Sequence, residues 1–305
     1  MRPGAVVLSV GPAVATTGAL LALAGGTLGH GAELRRVNPV TLHAEGRALG
    51  LPGDAFGLAW ARNASLLAIV PKPTGGFGFP VRLIRTADLR PTALVPVGRR
   101  DVCGLTFVAR TLFALASDRL CYWPGGSFSI LRIDVAQRRV ASVTAVPGLR
   151  LAAPTNLAFG DGRAFVAQAG GGVQAVDLRT GAVTRHEPRR ALAKGEGIVW
   201  TRWLGDHLLG AGPRIVDVRT WRSRTPEPGA TGIVPAGRDV AVYGSRGVAI
   251  YTRSGRFRVR VTTAPTFAGV AAAAGRLYVG AATVFDLRTK RFLPAAGTFD
   301  LLLAP

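Results

Sequence analysis

The chain has 305 residues, and its 38 Lys and Arg against 17 Asp and Glu give a formal charge of +21. With 40 Gly, 20 Pro and 48% apolar residues it excludes an architecture of long helices, whose interiors tolerate neither Gly nor Pro, and fits many short strands joined by tight turns. The charge favours nonspecific affinity for polyanions over a nucleic-acid-binding role, because the excess is almost all arginine and is spread along the chain in groups no tighter than Arg99-Arg100, Arg138-Arg139 and Arg189-Arg190.

At the N-terminus, Met1-Arg2-Pro3 carries one positive side chain, and Ala5 to Val10 is a short apolar run. Gly11-Pro12 breaks it, and Ala13-Val14-Ala15 has the small-x-small form of a cleavage site. The pattern predicts an export signal over residues 1–15, the alternative being a ragged first strand in a cytoplasmic protein. No other stretch approaches the ~18 apolar residues of a membrane span, so residues 16–305 are expected to form one soluble, monomeric domain, secreted or held in a bacterial cell envelope.

The predicted strands begin with Leu20 to Leu23 and Glu33 to Val37. A recurring step of a small residue and an apolar one then marks the first strand of each unit: Gly57-Leu58, Gly104-Leu105, Asn156-Leu157, Gly197-Ile198, Gly232-Ile233 and Gly269-Val270. Asn156 to Phe159 turns at Gly160-Asp161-Gly162 into Arg163 to Ala167, which is a hairpin signature. A second hairpin follows in each unit. Its turn is clearest in Val176-Asp177-Leu178-Arg179-Thr180, Val216-Asp217-Val218-Arg219-Thr220 and Phe285-Asp286-Leu287-Arg288-Thr289. A short polar residue recurs at 38, 86, 134, 177, 217, 252 and 286, spaced about 34 to 48 residues apart. Such a side chain at a strand end hydrogen-bonds the backbone two residues on and reverses the chain.

Each unit is therefore four antiparallel strands. There are seven turn anchors and only six internal first strands, and Asp300-Leu301-Leu302-Leu303 supplies the seventh. The expected fold is all-β: a seven-bladed β-propeller of four-stranded antiparallel blades, its C-terminal strand joining the N-terminal blade, with six blades as the alternative. The run from Asn156 to Val183, a Gly/Asp turn followed by apolar-Asp-apolar-x-Thr-Gly, resembles the YVTN and PQQ-like (NHL-like) repeat propellers. That resemblance extends from about residue 17 and implies architecture rather than activity, because the superfamily spans enzymes, scaffolds and surface proteins.

In such a fold the starts of the first strands converge at one mouth, which gathers Asp54, Asp101, Asn156, Glu196 and Asp300 as candidate ligand-binding residues. Oxygen ligands of this kind suit Ca²⁺, a polar substrate, or acid–base chemistry, although no cofactor is required by the sequence. Two longer loops, Lys72 to Pro80 with Phe77 and Phe79, and Cys121 to Phe128 with Tyr122 and Trp123, are candidate contact surfaces. Cys103 and Cys121, the only cysteines, are read on the first two strands of one blade. They either staple that hairpin as a disulfide or stand as two buried thiols. His30, His43, His186 and His207 have no zinc or nucleophile-assisting spacing, and Trp60, Trp200 and Trp203 are expected to pack between blades. The reading that follows is an extracytoplasmic, non-enzymatic propeller binding a protein, glycan or small ligand. The alternative is a hydrolase or lyase working at the acidic mouth.

Overall fold

A computed structural model describes residues 20–24, 32–39, 43–51, 54–63, 65–72, 78–121, 125–149, 157–167, 172–186, 201–266, 270–273, 275–279, 283–293 and 301–303. In chain order the strands are β1 Leu20–Ala24, β2 Ala32–Val37, β3 Ala44–Leu51, β4 Asp54–Arg62, β5 Leu66–Lys72, β6 Val81–Arg85 and β7 Pro91–Val95. Then come β8 Asp101–Val108, β9 Thr111–Ser117, β10 Phe128–Asp134, β11 Arg139–Val146, β12 Leu157–Gly160, β13 Arg163–Ala167, β14 Val173–Asp177 and β15 Val183–His186. The remainder are β16 Thr201–Gly205, β17 Leu208–Ala211, β18 Arg214–Asp217, β19 Ser223–Arg224, β20 Ala230–Ala236, β21 Asp239–Gly244, β22 Gly247–Thr252 and β23 Phe257–Thr262. The series ends with β24 Val270–Ala273, β25 Arg276–Val279, β26 Thr283–Asp286, β27 Arg291–Leu293 and β28 Leu301–Leu303.

These strands make seven four-stranded sheets, not six. Six are consecutive meanders, β4 to β7, β8 to β11, β12 to β15, β16 to β19, β20 to β23 and β24 to β27. The seventh has the order β28-β1-β2-β3, with Leu21, Ala22 and Leu23 opposite Leu303, Leu302 and Leu301. The chain separates into two compact units, one of Met1–Ala24, Glu33–Ala48 and Arg202–Pro305, the other of Gly25–Ala32 and Leu49–Thr201.

All seven turn anchors fall at or just after the end of the third strands of their sheets, and the expected turn chemistry is present at three of them. Asp177 Oδ1 accepts the backbone N–H of Arg179 at 2.9 Å and of Thr180 at 2.7 Å. Asp217 does the same for Arg219 and Thr220, and Asp286 for Arg288 and Thr289. The following residue donates to the turn between the first two strands: Leu178 to Gly162 and Val218 to His207, both at 2.9 Å, and Leu287 to Gly275 at 3.0 Å. The two hairpin turns of a sheet are thus stitched together at one end. Four residues past each of four Asp anchors the backbone is left-handed, at Arg138, Gly181, Trp221 and Lys290.

Cores form between neighbouring sheets inside each unit. In one, Val70, Leu83, Val95, Leu105, Leu112 and Leu131 join the sheets β4–β7 and β8–β11. In the other, Val234, Val248, Ile250, Leu277 and Phe285 join β20–β23 and β24–β27. The small residue of the first strand has a physical reason at Gly104, where a Cβ would stand 2.1 Å from Leu157 Cδ2 of the next sheet. Fourth strands are largely exposed, as β11 and β23 illustrate, and all but β7 carry at least one arginine. Charged edge strands resist pairing with other chains. Trp60 and Trp203 are buried, in line with a packing role, whereas Trp200 lies outside the described residues.

Candidate functional site

Asp101 is the one residue of the expected acidic set with a described side chain. It opens β8, is 2% exposed, and its Oδ2 accepts the backbone N–H of Cys121 at 2.9 Å. Asp54 begins β4, but its side chain, like Asn156, Glu196 and Asp300, lies outside the described residues. Of the loop aromatics, Phe79 is half-buried against the core shared by β4–β7 and β8–β11. Phe77, Tyr122 and Trp123 lie outside the described residues. No helix among the described residues is long and apolar enough to cross a membrane.

Cys103 and Cys121 are joined as a disulfide with their Cα atoms 5.5 Å apart. The sequence reading placed Cys121 on a second strand. That strand, β9, ends at Ser117, and Cys121 lies in the turn beyond it. A bulge between Val102 and Gly104 carries Cys103 out of the regular β8–β9 ladder toward this turn. Both sulfurs come within 3.6–3.7 Å of the Asp101 carbonyl oxygen. Farther along, Asp118 Oδ1 accepts the Ser127 N–H at 2.7 Å and closes the turn on itself. The Asp101 carboxylate and the disulfide therefore act as two ties on one segment.

Among the described residues, two clefts lie at the ends of the sheets where the hairpin turns are stitched. One cleft, of about 610 Å³, is lined by Asn63 and Ser65 after β4, Phe107 and Arg110 around the β8–β9 turn, and Arg132 and Asp134 at the end of β10. The other, of about 430 Å³, lies between the sheets β20–β23 and β24–β27. Its apolar floor is Ala236, Ile250, Val259, Phe285 and Leu287, the margin of that unit's core. Around it stand Arg238, Arg258, Arg288 and Lys290, all exposed, with Asp239 as the one carboxylate. Among the described residues none of these four cations is in an ion pair.

The preceding pair of sheets shows a contrast. There Arg253, just past the Thr252 anchor, reaches Asp206 of the β16–β17 turn and also donates to the Gly237 carbonyl at 3.1 Å. Sequence reasoning missed these cations and this ion pair. The one available signal was the basic residue two places after an Asp anchor, Arg179, Arg219 and Arg288, and it says nothing about which turns become neighbours.

By sequence, no family model and no curated protein matches the chain. By structure it is similar to the WD40 β-propeller domain of Doa1, with 14% identity, a TM-score of 0.54, and coverage of 92% of this chain and 90% of that one. It is also similar to a chain of the mitotic checkpoint complex, with 11% identity, a TM-score of 0.57, and coverage of 96% and 92%. At such identities the likeness concerns fold alone. Together with the seven four-stranded antiparallel sheets, it makes the fold of this chain a seven-bladed β-propeller.

Proposed function

We propose that this propeller is a non-catalytic interaction scaffold that works outside the cytoplasm and holds a protein partner against the turn-bearing ends of its sheets. The observation that carries this reading is the pair of open clefts, each combining an apolar floor with exposed arginines, the mixture that protein interfaces favour. The Cys103–Cys121 disulfide supports the compartment, because such bonds persist in oxidising environments and are rare in the cytosol. The sequence pattern over residues 1–15 supports export, and the repeat from Asn156 to Val183 supports a place among the YVTN and PQQ-like propellers. Residues 16–305 act as one domain in this reading.

The test is photocrosslinking in intact cells from a photoreactive residue at Ala136, in the larger cleft, or at Arg238, in the smaller one. A discrete adduct with one identified protein is expected from at least one position. Crosslinks to lipid or glycan alone, or none at either position, would overturn the interaction reading.

A further inference from the structure

The two sheet pairs just contrasted are built from equivalent turns, and they differ at two positions that decide what fits between them. Gly205-Asp206-His207 joins the first two strands of one sheet, and Ala236-Gly237-Arg238 does so in the next, so Gly237 occupies the place of Asp206. Arg253 follows the anchor Thr252, and Leu287 follows the anchor Asp286, so Leu287 occupies the place of Arg253. Where Asp206 and Arg253 are present they pair across the gap. Where Gly237 and Leu287 replace them the gap is open, and a Cβ added to Gly237 would meet nothing within 4 Å.

The exchange removes one carboxylate and one guanidinium together, and the gap that it leaves is lined by four cations, Arg238, Arg258, Arg288 and Lys290, against the single carboxylate of Asp239. None of the four has an ion-pair partner among the described residues. The floor between them is apolar, with Val259 and Leu287 half-buried over the buried Phe285. We propose that the cleft between the sheets β20–β23 and β24–β27 binds an acidic, apolar-containing peptide segment of a partner protein. One of the segment's carboxylates takes the place that Asp206 fills in the neighbouring pair, and an apolar side chain rests on Leu287 and Val259. This rests on the scaffold reading and names its partner chemistry. A cleft of about 430 Å³ accommodates a few side chains of an extended segment.

The probe is a short fluorescein-labelled peptide alternating glutamate with leucine and phenylalanine, titrated by polarisation at physiological ionic strength, where diffuse attraction to a basic protein is largely screened. Saturable binding is expected. Gly237→Asp returns the missing carboxylate to a turn whose equivalent already holds Asp206 at a positive φ of 49°, so this variant folds normally. It should weaken the peptide about tenfold by occupying and neutralising the site. Arg288→Ser should weaken it about fivefold, whereas Arg179→Ser, at the equivalent turn position of the β12–β15 sheet and outside both clefts, should leave it unchanged. No saturable binding, or equal losses in Arg288→Ser and Arg179→Ser, would overturn the proposal. A protein captured by crosslinking beside a silent titration would overturn this inference and leave the scaffold reading standing. Loss of both would remove the two together.

Discussion

Breaking the Cys103–Cys121 bond tests how the β8–β11 sheet is held. The bond closes a loop of 18 residues, for which chain entropy in the unfolded state predicts a stabilisation of about 3 kcal/mol. Unfolding entropy near 60 °C is about 2.1 cal/mol/K per residue, so reduction should lower the Tm of this chain by about 5 °C. Asp101→Ala removes the acceptor for the Cys121 N–H in a buried place, a loss of about 1–3 kcal/mol. Both perturbations release the same segment. Once the bond is reduced, the turn can swing outward and its N–H can find water, so the second perturbation should cost less than it does alone. The assay is calorimetry of wild type and Asp101→Ala, each oxidised and reduced, with thiol titration of the native and denatured states. Thiols that titrate without reductant would refute the bridge. A Tm unaffected by reduction, or strictly additive losses, would refute the two-tie account.

Turn geometry gives a second expectation. Arg138 sits at a positive φ of 55° where the equivalent Gly181 sits at 72°, so Arg138→Gly should stabilise the protein by about 0.5–1 kcal/mol in chemical denaturation. Gly181→Ala should destabilise it, because the added Cβ would stand 2.3 Å from the Ala145 carbonyl oxygen. In acid, the carboxyls of Asp217 and Asp286 titrate below the ordinary carboxylate range, the first held down by the N–H groups of Arg219 and Thr220, the second chiefly by that of Thr289. A depressed folded pKa means that their stabilisation is complete above about pH 4 and is lost as pH falls through the folded value. A pH series of melting temperatures should therefore show a shallower acid limb in Asp217→Asn with Asp286→Asn, and an unchanged limb would count against the turn account. Tyr278, whose phenol is pushed up to about 12 by burial, donates its hydroxyl to the Pro39 carbonyl at 2.9 Å. Tyr278→Phe should cost about 1–2 kcal/mol in the same denaturation assay.

How much was legible follows from how local each determinant is. The anchors could be read from the chain because the determinant is local: at Asp177, Asp217 and Asp286 the side chain and the two N–H groups that it accepts lie within four residues. The sheet count came with them, as did the seating of Leu301–Leu303 beside Leu20–Ala24, which follows from counting first strands. Cys121 is read on the second strand of its blade, whereas β9 ends at Ser117 and the Asp118 carboxylate accepts the Ser127 N–H beyond it. Asp101 reads as a candidate ligand at a strand start, and its tie is non-local: the buried carboxylate accepts the N–H of Cys121, twenty residues on. The cationic cleft was out of reach altogether, since it depends on Gly237 and Leu287 meeting across two sheets in place of Asp206 and Arg253.

The sheet that unites β28 with β1 also sets a schedule. At translation rates of about 5–20 residues per second, β1 waits roughly a quarter of a minute to a minute before its second neighbour is synthesised. During that interval its backbone N–H and C=O groups on one side have no strand to meet, while six later meanders can each form from contiguous chain. A ribosome stalled before Leu301 would hold a chain whose first sheet still lacks a strand and exposes a sticky edge. For this protein, quality control has a simple thing to recognise: an open place beside Leu21 to Leu23.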